Sequence, residues 1–208
     1  MSKLEELIAE LCPNGVEYRT LAELAQISAG GDLPNNYVKG QIVPTEQYPY
    51  PIYSNGTADG ALYGYSDSYK IEQEAITVSA RGTIGYHEIR KGKFTPIVRL
   101  ITLIVNESIV TTKFLNYALY VAGIEGVTTG IPSLTVPMLK KSVVPVPPLP
   151  VQREIVRILD NFTELTAELT AELTARKKQY EYYRDSLLTF GDEVKWKTLD
   201  EIFYIKGG

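Results

Sequence analysis

Residues 164–175 read ELTAELTAELTA, one four-residue unit written three times in tandem. Leu, Ala and Glu all favour helix, and no Gly or Pro interrupts the chain from Val151 to Leu188, so the spacing predicts a single helix over about those residues. At 1.5 Å per residue it spans roughly 57 Å. Its apolar stripe is Ile155, Ile158, Phe162, Leu165, Leu169, Leu173, Tyr180, Tyr183 and Leu187. A helix that long with one apolar stripe cannot bury itself, so a second helix must lie alongside it. Leu165, Leu169 and Leu173 make two successive steps of four, a stutter within a three-four pattern. One copy lengthens the helix by about 6 Å, a little under two base pairs of duplex DNA at about 3.4 Å per pair. On the repeat alone, a ruler of adjustable length and plain helix filler are equally open readings.

The rest of the chain frames that helix. Leu4, Leu7, Ile8 and Leu11 share one face of a short N-terminal helix, which Cys-Pro-Asn-Gly (12–15) ends. From Val16 to Val146 tyrosine and glycine are frequent. Ala75–Ala80, Thr83–Ile89 and Val98–Val105 read as strands, and Thr111–Ala122 as a helix with Phe114, Leu115, Ala118, Leu119 and Ala122 on its buried face. Pro145–Pro150 reads as a stiff extended spacer before the long helix. Val16–Ile27 (VEYRTLAELAQI) is echoed by Val194–Ile205 (VKWKTLDEIFYI), each copy after a helix end and a Gly turn. The chain therefore runs once around a module and begins it again, with a first strand expected near residue 194.

Catalytic signatures are few. One histidine, His87, and one cysteine, Cys12, speak against a clustered metal site or an internal disulfide. No G-x-S-x-G or HExxH motif occurs, and SARGTIG (79–85) suits a tight turn better than a phosphate cradle. No apolar run reaches the roughly 18–20 residues of a membrane helix, and the N-terminus lacks the pattern of a secretory signal. The expectation is a cytoplasmic, non-catalytic chain with no metal, no membrane partner and no cofactor of its own.

The net charge of −4 argues weakly against nucleic acid, but it is unevenly spread. Residues 28–150 carry ten Lys/Arg against nine Asp/Glu, while residues 1–27 carry two against five. Arg81, Arg90, Lys91, Lys93 and Arg99 lie within nineteen residues that hold a single acid, Glu88. Tyrosines and polar loops interleave with them, YSNGT at 53–57 and GVTTGIPSLT at 126–135. Arg and Lys suit phosphates and guanine edges, and Asn, Ser and Thr suit base edges. The candidate DNA-contacting residues are Asn55, Thr57, Arg81, Arg90, Lys91, Lys93 and Arg99.

VEYRTLAELAQISAGG, SARGTIG, SLTVPMLKKSVVPVPPLPVQREIVRILD, the ELTA copies with RKKQYEYYRDSLL, and VKWKTLDEIFYIKGG together resemble the specificity subunit of a type I restriction-modification system. The resemblance implies two target-recognition domains held apart by two long antiparallel helices, each domain reading half of a split DNA sequence. It implies no catalysis by the chain itself. Methylation subunits that bind S-adenosylmethionine and methylate adenine are the implied partners, with ATP-driven restriction subunits in the full complex. In some members the number of four-residue copies goes with the length of the unspecified spacer. This chain holds one such domain and one such helix, which two-fold pairing with a second copy would complete. The nine stripe residues would then form the dimer packing, and the target would be an interrupted palindrome.

The expected fold class is α+β, one mixed α/β target-recognition domain plus a long coiled-coil-forming helix. The expected division is an N-terminal helix and turn (1–15), the recognition domain (16–146), the long helix with the repeats (147–190) and the start of a second module (191–208). The alternative function is a coiled-coil protein–protein adaptor without sequence-specific DNA binding. Salt-dependent, sequence-selective duplex binding separates the two.

Overall fold

The computed structural model describes residues 2–124, 126 and 132–203, in two compact units, Met1–Leu159 and Asp160–Gly208. Residues 127–131 of the GVTTGIPSLT loop and the last two positions of the echo lie outside the described residues. The first unit opens with α1 (Lys3–Leu11), capped by Ser2, whose hydroxyl accepts from the Glu5 N–H while the Glu5 carboxylate accepts from the Ser2 N–H. Strand β1 (Glu17–Thr20), the one-turn α2 (Leu21–Leu24) and β2 (Ala25–Ala29) follow. Then come β3 (Tyr37–Lys39), β4 (Tyr50–Tyr53), β5 (Leu62–Ser66), β6 (Ala75–Ser79), β7 (His87–Arg90), β8 (Thr95–Pro96) and β9 (Leu100–Val105). Helices α3 (Thr112–Val121) and α4 (Val136–Lys141), strand β10 (Val143–Val146) and the long α5 (Leu149–Leu188) complete the sequence up to α6 (Leu199–Ile202).

Three sheets result. The central one has the order β2-β9-β6-β7, antiparallel throughout, and all five residues of β6 are buried. That explains the unalternating Ala-Ile-Thr-Val-Ser run, since a strand covered on both faces needs no polar side. Helix α3 packs on β6 and β7 with Phe114, Leu115, Ala118 and Leu119 buried, as its spacing predicts. Leu21, Leu24, Ile76, Leu103, Leu139 and Val144 belong to the same core. A second sheet has the order β3-β5-β4-β8, and β1 pairs antiparallel with β10, Glu17 opposite Val146 and Thr20 opposite Val143.

Three expectations shift. The strand expected at Thr83–Ile89 begins only at His87, because Thr83–Tyr86 close a turn. The strand expected from Val98 begins at Leu100, because the Leu100 N–H bonds the Ile97 carbonyl (3.3 Å) and Arg99 takes a left-handed φ of +73°. Pro145–Pro150 is no spacer. Pro145 sits in β10 opposite Tyr18, on an edge strand where its missing N–H costs little. Pro150 occupies the first turn of α5, where an N–H has no partner in any case.

The start of α5 is pinned to the domain. Val151, Gln152 and Glu154 are buried. The Gln152 amide accepts from the Thr111 N–H (2.9 Å) and donates to the carbonyls of Ile109 (3.0 Å) and Pro147 (2.8 Å). The Glu154 carboxylate accepts from Arg157 (2.6 Å) and pairs with Lys3 of α1 (3.1 Å). Ile155 packs against the core of the first unit, and Ile158 is half-buried.

In the second unit the described residues from Asn161 to Leu199 are all exposed, including Phe162, Leu165, Leu169, Leu173, Tyr180, Tyr183 and Leu187. The repeat threonines turn back on the helix. Thr166 donates to the Phe162 carbonyl (2.7 Å), Thr170 to Thr166 (2.7 Å) and Thr174 to Thr170 (2.9 Å). The echo reappears as structure. Thr20 caps α2, its N–H bonding the Glu23 carboxylate (2.8 Å), and Thr198 caps α6 with Glu201 (3.1 Å). Its expected strand does not form. Residues 17–20 are a strand because β10 lies beside them, and residues 195–198 have no such neighbour among the described residues. Leu21 and Leu24 are fully buried, whereas Leu199 and Ile202 are 66% and 55% exposed.

The hydrogen bonds from Arg157, reinforced by Lys3, pull the Glu154 carboxyl down to about 2 from its ordinary 4.5. A depressed carboxyl stabilises the fold above its ordinary value and loses that contribution as pH falls through the folded one. Urea midpoints of the native chain should therefore drop between pH 4.5 and about 2. Glu154→Gln should start lower at neutral pH and show a flatter acid limb. Parallel curves for the two proteins would remove Glu154 from the tether.

Candidate nucleic-acid interface

The SARGTIG segment links β6 to β7 through a compact turn. Gly82 and Gly85 take left-handed φ values of +72° and +81°, which glycine adopts without strain. The Gly85 N–H returns to the Ser79 carbonyl (3.1 Å), and the Thr83 N–H to the Arg81 carbonyl (2.9 Å). Asn55 donates its side-chain amide to that same Arg81 carbonyl (3.1 Å). Next to Thr57, the Ala58 N–H donates to the Tyr86 hydroxyl (2.8 Å). From the other side the Ala80 N–H bonds the Arg99 carbonyl (2.8 Å), and the Leu134 N–H bonds the Ala80 carbonyl (2.9 Å).

Four of the seven sequence candidates, Asn55, Thr57, Arg81 and Arg99, are thus gathered around one turn. Arg81 and Arg99 are exposed and line a cleft of about 410 Å³, with Ala29, Ser133 and Thr135 among its other walls. Neither arginine is ion-paired among the described residues. The Arg99 corner is held hard. The Gly30 N–H bonds the Leu100 carbonyl (2.7 Å), and a Cβ on Gly30 would fall 2.2 Å from the Ile97 carbonyl oxygen. The Ala-Gly-Gly after β2 is the close approach that seats this corner. Arg99 keeps a backbone conformation costly for any residue but glycine, as residues at binding sites often do.

Arg90, Lys91 and Lys93 lie elsewhere. The β6–β7 register sets Val78 opposite His87 and Ala75 opposite Arg90, so Arg90 stands at the far end of the hairpin from Arg81. Arg90 is buried, ion-paired to Glu88 (2.8 Å), with its guanidinium 4.1 Å from the Tyr53 ring centroid. Arg90 is thus committed to Glu88 and Tyr53 inside the head. Sequence spacing could not show that an arginine in a basic run was paired inward. Burial pushes the Tyr53 phenol up, and the Arg90 charge works against that shift. Lys93 pairs with Glu72 (3.2 Å) over the Tyr69 ring, and the hydrogen bonds it donates to Tyr69 and then to Glu72 hold its ammonium above the usual lysine range. Lys91 is exposed on the Lys91-Gly92 turn.

His87 is buried between the carbonyls of Gly85 (2.8 Å) and Asn116 (3.0 Å), a structural position. Among the described residues no three His, Cys, Asp or Glu side chains are grouped to hold a metal ion, and no helix is long and apolar enough to cross a membrane. Sequence reasoning passed over Ala29 and the role of Gly30. The Ala-Gly-Gly triplet was the available signal.

The sequence profile of the type I restriction modification DNA specificity domain matches residues 13–176. A Mycoplasma pneumoniae protein named as a type I specificity subunit is 36% identical over 184 residues, which is 86% of this chain and 54% of that protein. The specificity subunit of the Escherichia coli type I restriction enzyme EcoR124I/EcoR124II is 61% identical over 75 residues, 33% of this chain and 19% of the other. Of solved structures, the S subunit of a type I restriction-modification system from M. genitalium matches with a TM-score of 0.59 at 21% identity, over 84% of this chain and 46% of its own. The HsdS subunit from Thermoanaerobacter tengcongensis gives 0.58 at 19%, over 81% and 44%. At such identities the structural likeness speaks for the fold. The chain spans about half the length of the curated relatives it matches.

Arg99→Gly should leave stability unchanged or raise it by up to about 1.5 kcal/mol. It relieves roughly 1–2 kcal/mol of left-handed backbone strain and adds about 0.5–1 kcal/mol of chain entropy to lose on folding. Chemical denaturation tests this. A loss beyond about 2 kcal/mol would mean that the Arg99 side chain itself holds the corner together.

Proposed function

We propose, on the premise that this chain belongs to the type I restriction-modification DNA specificity domain family, that its head reads one half of a split duplex target. The cleft walled by Arg81 and Arg99 lies at the centre of the contact. The observation that carries this reading is the pair of exposed arginines on one rigid corner, with Asn55 bonded to the same turn. Guanidinium groups on a preorganised turn suit phosphate oxygens and guanine edges, and the rigid backbone lowers the ordering cost of binding.

In this proposal the chain is a non-catalytic recognition subunit. Adenine methylation, with S-adenosylmethionine, belongs to partner methylation subunits, and restriction to further subunits of the complete assembly. Lys91 and Lys93 contribute general attraction to the backbone at the far end of the hairpin. Two copies of the chain supply the two heads, and the helix repeats set the gap between the half-sites.

The test is selection from random duplex DNA by the chain assembled with its methylation subunit. An enriched interrupted palindrome supports both sequence reading and two-fold assembly. A single half-site keeps the DNA role and removes the two-headed assembly. No enrichment from a demonstrably assembled complex favours the adaptor. Arg81→Ala should weaken duplex binding and lower the slope of log affinity against log salt by about one. An unchanged slope and affinity would take Arg81 out of the interface.

A further inference from the structure

Residues 40–49 (GQIVPTEQYP) join β3 to β4 outside the cleft, and at their tip Ile42 and Val43 are 79% and 61% exposed. Ile42 is the most exposed large apolar side chain described in the first unit. Single apolar residues on a surface need no explanation, but these two are neighbours and the backbone holds them out. The Gln41 side-chain amide donates to the Val43 carbonyl (2.6 Å), and Pro44 fixes the next φ. Gly40 turns the chain out of β3 at a left-handed φ of +74°, its N–H bonded to the Tyr63 carbonyl (2.9 Å). Beyond the tip the Thr45 N–H bonds the Tyr48 carbonyl (3.2 Å), and the Tyr48 N–H bonds the Thr45 hydroxyl (3.1 Å). A loop bonded on both sides of an apolar tip presents that tip with little left to order on binding.

Strand register sets this loop beside the candidate interface. Strands β3 and β4 flank β5, and both end at its beginning, Lys39 opposite Gly64 and Tyr53 opposite Leu62. The Gly40 N–H then bonds Tyr63 and the Ser54 N–H bonds Ala61 (2.8 Å), one residue before Asn55 reaches the Arg81 carbonyl. The two loops therefore leave the same end of the sheet, two strand spacings or about 10 Å apart. That is about three base pairs of duplex at about 3.4 Å per pair. Lys39, at the root of the loop, is exposed, with its ammonium 5.3 Å from the Tyr63 ring centroid and no carboxylate partner among the described residues. An apolar tip with a cation at its root suits a polyanion that carries apolar groups between its charges.

We propose that Ile42 and Val43 contact thymine methyl groups in the major groove of the half-site that Arg81 reads. The proposal rests on the DNA reading above and adds two residues to it. Among the base edges of the major groove, only thymine carries a methyl group. Isoleucine and valine are stiff at χ1, so they cover a methyl with little rotamer freedom to lose. The arginines thus select by hydrogen bonds and the tip by shape, within one half-site.

The test uses the target recovered by the selection above, with thymines replaced one at a time by deoxyuridine, which lacks only the methyl. The chain is assembled with its methylation subunit. Replacement at one or two positions of a half-site should weaken binding by about fourfold each, the worth of one buried methyl. The double variant Ile42→Ser, Val43→Ser should bind the thymine target about as weakly as the native chain binds the replaced one. Further replacement should then make no difference, and the salt slope should stay as it was because no charge is lost. A native complex indifferent to every replacement, a variant that keeps the native sensitivity, or a half-site with no A·T pair overturns the proposal. So does a variant that no longer co-purifies with the methylation subunit, which would make the tip a protein contact. Each of these results leaves an enriched target and the DNA reading standing, whereas the absence of any enriched target removes that reading and the tip's role with it.

Discussion

Three backbone groups meet the side-chain amide of a single buried residue, Gln152, and everything beyond residue 149 takes its start from that junction. Its oxygen satisfies the Thr111 N–H at the beginning of α3, and its nitrogen reaches the carbonyls of Ile109 and Pro147. A buried amide with these bonds made is favourable, and one deprived of them would leave orphaned groups costing roughly 1–3 kcal/mol each. The amide therefore ties the first turn of α5, the start of α3 and the exit of β10 into one rigid joint. Glu154, held by Arg157 and Lys3, extends the joint to α1.

Periodicity made the helices legible. The i, i+3, i+4 faces of α1 and α3 and the long apolar stripe of α5 are strong, and each helix stands within a residue or two of its expected bounds. The strands were legible where burial was extreme, as in Ala75–Ser79, and blurred where a turn residue reset the start. Arg99 does that by going left-handed, a conformation that nothing in an arginine advertises. The proline run misled because two opposite uses of proline, an edge strand and a helix first turn, lie side by side. The second copy of the echo marks the limit of local reading. Its capping box forms from four neighbouring residues and does so twice, but its strand needs a partner from far along the chain.

For the candidate interface, composition found the cations and could not say which faced outward. Arg81, Lys91 and Arg99 are exposed, while Arg90 is spent on Glu88 and Tyr53. The difference lies in the hairpin register, which puts one end of β7 against the tyrosine-bearing second sheet and the other at an open corner. What joins Asn55 to Arg81, and Arg99 to Ala80, is hydrogen bonding to main-chain carbonyls, which leaves no trace in side-chain identity.

The threonine ladder inside the repeat carries a genetic consequence. Thr170 donates to the carbonyl of Thr166, and Thr174 to that of Thr170, so each new copy would bring both the donor it needs and the acceptor for the next. Four codons are twelve nucleotides, and a polymerase that slips by one unit stays in frame. The daughter chain would inherit a helix bonded like its parent's, with the sequence on either side of the repeats untouched. Variation at this locus would then proceed by whole increments of about 6 Å, with no half-formed intermediate to be selected against. A lineage could lengthen or shorten this helix in one generation without changing any residue of the head.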